Sequence, residues 1–501
     1  MTGAGSFDGD AFAELQSRLA PIWPEITLRR RPGQRTLVVV SSLSLDLPAS
    51  YQPLIAAYEE RYLIYVLALA TAPGTHVIYV TSQPILPRMV DYYLDLIPTA
   101  DHDDTRRRLT TLSMGDATLQ PLTRKILDRP RTVARIRSLV PDGSPAILIP
   151  FVTSDLEVQL GLELGLPIYG TDPRLAHLGT KTGSREVFAA AGVPHPRGTE
   201  GVHTVADLVD ALFELTRDRP SAAAIVKLDE GVSGTGNAVV DLEDLGVDAD
   251  RDGLRERILA LTPEDPDLDA EGFLALLEAR GGIVEERISG DDFCSPSVQL
   301  LVSPEGQVEV LTTHDQVLGG PTGQTYYGCR FPAAPDYAAL ISRHASAIGD
   351  TMRDHGVVGR FGVDFVVTRA ADGWHAHAIE INLRSGGTTH PFLALMALTE
   401  GTYDVDRAEF TAHGTPKHYV ASDHLEVPRL DTLTPDDVLD VVAEAGLDWD
   451  HVTRTGVVLH MVSGVGVAGR VGLTAIGDTP ADAQDRFDRV EEALRDAAAP
   501  P

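Results

Sequence analysis

Three oxygen-bearing side chains in the carboxyl-terminal half of this sequence have the types and spacing of a cation site. Asp364 lies in one alternating apolar stretch, and Glu380 and Asn382 lie two residues apart in the next. Residues two apart on a strand share a face, so the three side chains converge if the two stretches pair. Oxygen ligands of this kind suit Mg²⁺, which is held by few carboxylates and leaves room for nucleotide phosphates. The pattern predicts a Mg²⁺ site, with Mn²⁺ as a second candidate.

The two stretches have the periodicity and the turn of a β-hairpin. Apolar residues alternate with smaller or polar ones from Phe361 to Val367, which is strand periodicity. Ala371-Asp-Gly373 supplies a three-residue turn, with Gly373 in a left-handed conformation. This register sets Asp364 opposite Glu380.

The flanks of Glu380 argue against a solvated surface, which is the ordinary environment of a single acidic residue. Ile379 and Ile381 are apolar, so the strand is expected to be half buried. Arg384 follows, and the loop Ser385-Gly-Gly387 can bring its backbone close to an anion. The surroundings favour a binding site for a charged ligand.

Lysine is used so sparingly that each one is a functional pointer. The chain has four lysines. Lys181 opens a predicted helix, and Lys227 lies inside an apolar strand predicted over 223–228, where a buried ammonium group needs a partner. A compact ammonium group suits phosphate. The alternative for Lys181 is an ordinary surface lysine at a helix start.

A glycine-rich stretch follows Lys227 directly. The residues from Asp229 to Gly236 link two apolar strands. Such a loop offers backbone N–H groups to phosphate oxygens and can close as a lid. A plain hairpin with a glycine turn is the alternative. The earlier stretch Gly179-Thr-Lys-Thr-Gly-Ser-Arg185 superficially suggests a phosphate loop, but the Walker motif G-x-x-x-x-G-K-[ST] is absent, so it is not a P-loop.

Composition excludes several classes of function. The chain has 501 residues, which is too long for one domain. Acidic residues number 73 against 42 basic ones, and no basic run is long enough to neutralise a nucleic-acid backbone. The two cysteines give no disulfide framework. With no signal-peptide pattern and no bilayer-length apolar stretch, we expect a cytoplasmic protein without membrane or nucleic-acid partners.

The first 170 residues alternate short apolar runs with helical patterns. The runs over 36–41, 75–80 and 146–150 are almost continuously apolar. This is typical of a doubly wound parallel sheet. No G-x-G-x-x-G follows any of the runs, so a dinucleotide-binding domain is not supported.

The motifs together resemble those of the ATP-grasp ligases. V-K-x-x-x-G-x-S-G-x-G begins at Val226, and E-x-N-x-R-x-G-G begins at Glu380. A segment from Val284 is similar to the hinge that cradles adenine, except that Asp292 stands where a Glu is more usual, which leaves its ribose contact open. The resemblance implies ATP as cofactor, bound by Lys181, Lys227, Gly231, Ser233, Gly234, Gly236, Glu285, Glu286 and Asp292.

Three arginines and two further residues are candidates for the reacting groups and the substrate site. Arg384 is expected to offset charge on the transferring phosphate, together with the two lysines. Arg330 or Arg360 is expected to clamp the substrate carboxylate in a bidentate way. Gly387 and His390 are expected to contact substrate, and a structural histidine at a helix start is the alternative for His390.

The whole arrangement is most similar to the pheganomycin-type peptide ligases, through T-H-D-Q-V-L-G-G from Thr313 and E-I-N-L-R-S-G-G-T-T-H-P from Glu380. The stretch 313–330 reads as a long polar loop, whose length argues for substrate binding. The resemblance implies that a carboxylate is phosphorylated by ATP and that an amine then displaces phosphate. The expected partners are a small-molecule carboxylate and an amino acid or peptide amine, in antibiotic biosynthesis.

The predicted fold class is α/β, with α+β organisation in the catalytic part. We expect a pre-ATP-grasp domain over 1–170, a catalytic domain over 171–415 and an α+β subdomain over 416–501. The catalytic domain divides into a nucleotide lobe, to about residue 290, and a metal and substrate lobe. Analogy with the fold suggests a homodimer. The alternatives are an ATP-grasp carboxylase or small-amine ligase, a kinase that stops at the phosphorylated product, and a non-catalytic nucleotide-binding scaffold.

Overall fold

The computed structural model describes most of the chain. The described residues are 7–26, 33–45, 49–72, 74–97, 101–217, 221–231, 236–243, 245, 250–290, 292–320 and 323–500. None of the helices in these ranges combines the length and the apolar character that crossing a bilayer requires.

The amino-terminal part is built on a parallel sheet of four strands in the order β3-β2-β1-β4. The strands are β1 (Arg35–Val40), β2 (Thr75–Thr81), β3 (Leu109–Ser113) and β4 (Ala146–Pro150). The predicted parallel sheet is therefore confirmed. The sequence did not indicate β3, because this edge strand is largely polar and only Leu112 is buried.

Nine helices of the described chain surround this sheet. They are α1 (Gly9–Ser17), α2 (Leu19–Ile26), α3 (Ile55–Arg61), α4 (Leu67–Thr71), α5 (Pro87–Asp95), α6 (His102–Arg107), α7 (Leu122–Leu127), α8 (Pro130–Leu139) and α9 (Asp155–Leu164). A 3-10 turn over Tyr62–Val66 separates α3 from α4 and is fully buried. The α3 helix therefore ends at Arg61, directly before the most deeply buried stretch of this part of the chain.

The next part of the chain is a five-stranded antiparallel sheet in the order β5-β9-β6-β7-β8. Its strands are β5 (Gly198–Val202), β6 (Ala223–Leu228), β7 (Asn237–Asp241), β8 (Thr262–Pro263) and β9 (Gly282–Glu286). Its helices are α10 (Lys181–Ala190), α11 (Val205–Arg217), α12 (Arg251–Leu259) and α13 (Ala270–Arg280). The strand pair β6 and β7 forms the hairpin that the sequence predicted around the glycine-rich stretch.

The remaining residues form a nine-stranded sheet and a small three-stranded sheet. The strands in chain order are β10 (Phe293–Cys294), β11 (Pro296–Val302), β12 (Val308–Gly319), β13 (Thr325–Phe331), β14 (Gly359–Ala370), β15 (Gly373–Asn382), β16 (Thr402–Asp404), β17 (Glu409–Ala412), β18 (Thr415–Pro416), β19 (His418–Leu425), β20 (Gly456–His460) and β21 (Val471–Gly477). The helices are α14 (Pro335–Asp354), α15 (Thr389–Thr399), α16 (Pro435–Glu444), α17 (Val465–Ala468) and α18 (Pro480–Ala497).

The prediction of a long loop over 313–330 is wrong. Most of this stretch is the antiparallel pair of β12 and β13, with Asp315 opposite Arg330. The polar residues at its start are buried rather than solvated, because Thr313 donates or accepts a hydrogen bond with Tyr403 and His314 does so with Tyr419. The stretch is rich in polar residues and glycine, which are unusual in strands, so the sequence did not indicate that it forms strands.

The large sheet crosses the boundary that we expected at residue 416. Its path runs β10-β14-β11-β12-β13-β19-β21-β20, with β15 paired to β14. Strand β13 pairs directly with β19 through Cys329 and Ala421. One hydrophobic core also joins residues from Leu19 in α2 to Leu494 in α18. The carboxyl-terminal segment thus extends the sheet of the catalytic part and shares a core with the amino-terminal part.

Candidate active site

A cavity of about 290 Å³ lies between the two antiparallel sheets and is closed on a third side by the amino-terminal part. We call it the cleft. Residues at its nucleotide-lobe end are Ile225, Lys227, Glu285, Glu286, Arg287, Ile288 and Phe293. Residues of the large sheet and of the loop after it are Gln299, Gln316, Asp364, Glu380, Asn382, Arg384, Gly386 and Gly387. Other residues of its wall include Leu43, Leu45, Tyr51, Tyr58, Arg61, Phe151 and Asp423.

The three predicted metal ligands meet in the cleft because of a β-bulge. The turn of the hairpin has two residues, since Ala370 pairs with Gly373, and a regular ladder from that turn would place Ile379 opposite Asp364. Ile379 is an extra residue in β15, so Glu380 takes the position opposite Asp364. The predicted register is confirmed, but a bulge and a two-residue turn produce it. Ile379 lines the cleft instead of packing in the core as expected.

The two carboxylates differ in their partners. Asp364 accepts hydrogen bonds from Gln316 Nε2 at 2.8 Å and from Asn382 Nδ2 at 3.0 Å. Burial, reinforced by the negative charge of Glu380, raises the pKa of Asp364 to about 7. Burial pushes the pKa of Glu380 upward, but Lys181, which is hydrogen-bonded to it, acts together with the charges of Lys227 and Arg384 to lower the pKa below its ordinary value.

The donor set fits a hard divalent cation. Asp364, Glu380 and Asn382 line one end of the cleft with two carboxylates and one carboxamide. The two carboxylates are half-buried, and like charges that face each other repel until a cation lies between them. Within the described ranges no group of three histidine, cysteine or acidic residues could hold a metal ion. Two carboxylates and one carboxamide are nevertheless enough for Mg²⁺, which keeps waters and phosphate oxygens as its other ligands.

The two lysines of the nucleotide lobe are tied to each other through the backbone. Lys227 lies within β6 and its Nζ is 2.5 Å from Glu285 Oε1. Helix α10 begins at Lys181, whose backbone N–H donates to the carbonyl oxygen of Asp229, two residues after Lys227. The backbone N–H of Thr182 donates to Asp229 Oδ1 at 2.9 Å. The start of α10 is thus docked onto the end of β6, which fixes the spacing of the two ammonium groups.

The acidic residues of the predicted hinge are both engaged. Glu285 is contacted by Lys227 and by Arg185 Nη1 at 3.3 Å. Glu286 Oε2 accepts from Arg197 Nε at 3.0 Å, and its backbone N–H donates to the Arg197 carbonyl oxygen. Both glutamates line the cleft, beside the aliphatic side chains of Ile225 and Ile288. This end offers an apolar slot of the kind that a flat heteroaromatic base fills.

The base of the glycine-rich loop is tight. A Cβ added to Gly231 would lie 3.2 Å from the Cα of Gly236, closer than side-chain contacts normally allow. A side chain at either glycine would therefore require the facing backbone to shift by a few tenths of an ångström. Ser233 and Gly234, the two other predicted residues of this loop, lie outside the described residues.

Only one of the three predicted arginines lies in the cleft. Arg384 lines it, with Nη2 3.2 Å from Asn382 Oδ1 and the guanidinium 5.8 Å from the ring centroid of Phe151. Arg360 faces a second cavity of about 20 Å³. Arg330 lines neither: it is exposed and its Nε donates to Gln484 in α18. Alternate residues of a strand face opposite sides, and Cys329, not Arg330, is buried.

Two further predictions from the sequence are corrected. The side chain of Asp292 is 58% exposed, lies 3.8 Å from Arg369 and does not line the cleft, so the structure does not bring it to the predicted nucleotide site. His390 is fully buried behind the cleft, with Nε2 3.1 Å from the Tyr93 hydroxyl. Burial lowers the pKa of His390 well below its ordinary value. The structural alternative for His390 holds, whereas Gly387 does line the cleft, as predicted.

Sequence reasoning missed the amino-terminal and carboxyl-terminal contributions to the cleft. Arg61, at the end of α3, and Asp423, in β19, form an ion pair at 2.8 Å in its wall. Neither residue lies in a motif. One signal was available: Arg61 directly precedes the longest apolar stretch of the chain, and a buried arginine requires an acidic partner.

Comparisons with known proteins agree with this geometry. The family model described as IQCH-like, ATP-grasp, matches residues 173–256 and 269–406. The PGM1 C-terminal domain model matches residues 437–490. The fold resembles biotin carboxylase from Campylobacter jejuni in complex with βγ-ATP, at 13% identity and a TM-score of 0.54 over 94% of this chain and 96% of that one. It also resembles N5-carboxyaminoimidazole synthetase from Staphylococcus aureus complexed with ADP, at 12% identity and a TM-score of 0.52 over 92% and 98%.

Two curated relatives align with most of the chain. L-propargylglycine–L-glutamate ligase from Streptantibioticus cattleyicolor is 32% identical over 471 residues, which are 92% of this chain and 94% of that protein. IQ motif-containing protein H from Danio rerio is 25% identical over 403 residues, 71% of this chain but 37% of that longer protein. The chain belongs to the ATP-grasp family, among its pheganomycin-type peptide ligases, and is an ATP-dependent carboxylate–amine ligase.

Proposed function

We propose that this ligase uses Mg²⁺ and ATP to phosphorylate the carboxylate of an amino acid, and then joins the activated acyl group to the amine of an amino acid or peptide. The observation that carries the proposal is the convergence of five side chains at one end of the cleft. Their types are those needed to hold a divalent cation and to neutralise a transferring phosphate, and they are Lys181, Asp364, Glu380, Asn382 and Arg384.

The proposed reaction has two steps. An oxygen of the donor carboxylate attacks the γ-phosphorus of ATP, the bond between that phosphorus and the β–γ bridging oxygen breaks, and ADP leaves. The amine nitrogen of the acceptor then attacks the carbonyl carbon of the acyl phosphate. The carbon–oxygen bond to phosphate breaks, the amine loses a proton to solvent, and the products are an amide and inorganic phosphate.

The proposed roles of the chain's own residues follow from their charge and position. Lys181 and Lys227 extend from adjoining backbone segments of the nucleotide lobe and would hold phosphate oxygens. Arg384, beside the carboxamide of Asn382, would offset the charge that develops on the transferred phosphate and its acceptor oxygen. Asp364, Glu380 and Asn382 would hold Mg²⁺, which supplies electrostatic stabilisation of the phosphate oxygens.

The hinge would bind the base of ATP, and the glycine loop would cover its phosphates. Glu285 and Glu286 are held by basic side chains, so the strand edge at 286–288 keeps a fixed position beside the apolar slot. Gly231 and Gly236 bring the two ends of this loop together, and a loop over the phosphates would keep water from the acyl phosphate.

The curated relative suggests which substrates to try first. Its name records the ligation of L-propargylglycine to L-glutamate. We propose by analogy that this chain also joins two small amino acids or an amino acid and a peptide, in the biosynthesis of a peptide natural product. We further propose a homodimer, the state suggested by analogy with the fold, which sedimentation velocity would test.

The experiment that tests the proposal measures ADP release with Mg²⁺ and ATP across a panel of amino acids. L-propargylglycine is the first donor, and hydroxylamine replaces the acceptor amine. We expect ADP release that depends on one class of amino acid, with an equal amount of hydroxamate. ADP release without hydroxamate would indicate a kinase, and bound ATP without any turnover across the panel would support the scaffold alternative. Both results would overturn the proposal.

A further inference from the structure

The wall of the cleft opposite the nucleotide lobe contains a buried ion pair that no motif assigns. Arg61 ends α3 in the amino-terminal part, and Asp423 lies in β19 of the carboxyl-terminal part. Arg61 Nη1 lies 2.8 Å from Asp423 Oδ2, and the two side chains are 4% and 13% exposed. Two segments separated by 362 residues in the chain therefore meet at this wall.

The ion pair lacks some of its hydrogen-bond partners, so a contribution to stability does not by itself explain it. Removing two charges from water costs several kilocalories per mole, which only complete hydrogen bonding recovers. Arg61 Nε is buried and has no hydrogen-bond partner in the part of the chain that the structure describes. Within the same ranges Asp423 is bonded through Oδ2 alone, so Oδ1 keeps its acceptor capacity. Both residues line the cleft, so the pair still has hydrogen-bonding capacity toward a ligand bound there.

The guanidinium of Arg61 is held in a fixed orientation. Its central carbon lies 5.0 Å from the ring centroid of Tyr58 and 5.8 Å from that of Tyr62, which are cation–π distances. Tyr58 in turn stacks on Tyr51, with 6.0 Å between ring centroids. A planar donor fork fixed in this way suits a carboxylate, which it can hold through two parallel hydrogen bonds.

A second arginine serves the reacting end of the same cleft. Arg384 is bonded to Asn382, one of the three proposed metal ligands. Arg61 and Arg384 both line the cleft, and the charges of both oppose the rise in pKa that burial causes in Tyr62. Arg61 is paired with Asp423 and Arg384 is bonded to Asn382, so the cleft offers anionic groups two arginines, only one of which adjoins the proposed metal ligands.

We infer that Arg61 binds the free carboxylate of an α-amino-acid acceptor and that Asp423 receives its ammonium group, so that the acceptor is an amino acid rather than a simple amine. This inference rests on the proposed function, because it assigns the reacting carboxylate to Arg384. An acceptor held in this way keeps its own carboxylate away from the γ-phosphate. The product is a peptide with a free carboxyl end.

The test compares two acceptors that differ by one carboxylate. L-glutamate and 4-aminobutyrate share an amine and a side-chain carboxylate, and only the first carries an α-carboxylate. In the variant Arg61→Lys we expect the KM for L-glutamate to rise roughly 10- to 100-fold, the loss typical of a charged hydrogen bond. The KM for 4-aminobutyrate and the rate of hydroxamate formation with the donor should stay within about twofold of the wild type, because neither uses Arg61.

The controls separate recognition from folding. Arg495→Lys changes an exposed arginine of α18 outside the cleft and should alter neither KM. Asp423→Asn keeps the shape of the side chain. It should raise the KM for L-glutamate more than the KM for hydroxylamine. Melting curves of all variants check that the fold survives. If another amino acid proves to be the acceptor, that amino acid and the amine formed by its decarboxylation replace L-glutamate and 4-aminobutyrate in the test.

Each outcome has one meaning. A rise in KM shared by both acceptors, an unchanged KM for the amino acid, or loss of hydroxamate formation in folded Arg61→Lys would overturn the inference. A wild-type enzyme that accepts only amines without an α-carboxylate would overturn it as well. A wild-type enzyme that yields no hydroxamate with any donor would instead contradict the proposed function, which is a distinguishable result.

Discussion

Single side chains decide whether the cleft can hold a cation. Replacing Asp364 by Asn or Glu380 by Gln removes one anionic oxygen donor while keeping the shape of the side chain. We expect either variant to lower the rate of ATP-dependent ADP release by at least about 100-fold, the scale of losing one preorganised electrostatic contact. The Mg²⁺ concentration for half-maximal rate should rise as well. Initial rates over a Mg²⁺ titration would measure both effects.

Asp292→Asn is the matched control for these two variants. Its carboxylate is exposed and lies outside the cleft, so the Mg²⁺ titration should follow that of the wild type. Full activity in Asp364→Asn would show that the metal ligands have been wrongly assigned.

A buried glutamate of the amino-terminal part predicts a pH-dependent stability. Glu59 accepts hydrogen bonds from the backbone N–H and hydroxyl of Ser82, and burial raises its pKa from 4.5 to about 7. The folded protein thus keeps a proton that the unfolded chain has released between these values. The free energy of unfolding should fall as pH rises through this window, and this group should lower it by roughly 3 kcal/mol. Above about pH 7 Glu59 causes no further decrease.

Glu59→Gln removes this titration. We expect the free energy of unfolding of the variant, minus that of the wild type, to be roughly 3 kcal/mol larger at pH 7.5 than at pH 4.5. Denaturant unfolding at the two pH values measures the difference. Glu492→Gln, on the exposed side of α18, should show no such change. A constant difference between Glu59→Gln and wild type at both pH values would contradict the prediction.

At this scale the sequence was informative where chemistry constrains a motif. Asp364, Glu380 and Lys227 line one cleft as predicted, because their neighbours are fixed by strand alternation and by a glycine-rich loop. Arg330 and His390 do not line it, because burial and the direction of a side chain depend on strands that pair across long separations. Arg61 and Asp423 were missed for the same reason: their contact joins two segments that no local pattern relates.

The start of α10 determines the position of Lys181, which we propose as a phosphate ligand. Gly183 lies in its first turn, and a Cβ there would overlap the carbonyl oxygen of His177 in the preceding 3-10 turn. Gly183→Ala should therefore displace α10 together with Lys181. We expect a loss of about 1–3 kcal/mol of stability from overpacking, and at least a tenfold increase in the KM for ATP, measured by thermal unfolding and by initial rates.

Gly466→Ala is the control, because a Cβ at Gly466 meets no atom within 4 Å and its backbone is not left-handed. It should be neutral in both assays. If Gly183→Ala is destabilised but binds ATP normally, the position of Lys181 does not depend on the docking of α10.

The hairpin of β14 and β15 shows what a sequence can predict about an element. Periodicity identified both strands, and the pairing of Asp364 with Glu380 is present. The two-residue turn and the bulge at Ile379 were not predicted. We expected a three-residue turn and no bulge, and these two errors of one residue each cancel, so the predicted pairing of Asp364 with Glu380 is still correct. Bulges carry no strong local signal, since the extra residue is an ordinary isoleucine.

At the scale of the whole molecule the parts are interlocked. Strand β19 continues the large sheet next to β13, and one core spans α2 to α18. We expect a chain truncated after residue 415 to lose cooperative unfolding, because it removes β19, β20 and β21 and leaves β13 as an open edge. Circular dichroism melts of the truncated and full-length chains test this expectation.

A point variant provides the control for the truncation. Asp423→Asn removes only the cleft contact of β19 and should melt cooperatively. A truncated chain that melts as one unit and still binds ATP would show that the segment 416–501 is an independent addition. The sequence suggested such an addition, because local patterns reveal a strand or a helix but not which sheet the strand joins.

All four lysines of this chain are buried, at 1% exposure for Lys125, 6% for Lys181, 3% for Lys227 and 2% for Lys417. Amine-directed reagents therefore find no accessible side chain on the folded protein. Activated esters should therefore leave the lysine side chains of the folded protein unmodified. Slow acylation of Lys181 or Lys227 would then report the opening of the cleft, read by peptide mass spectrometry, and nucleotide should suppress it.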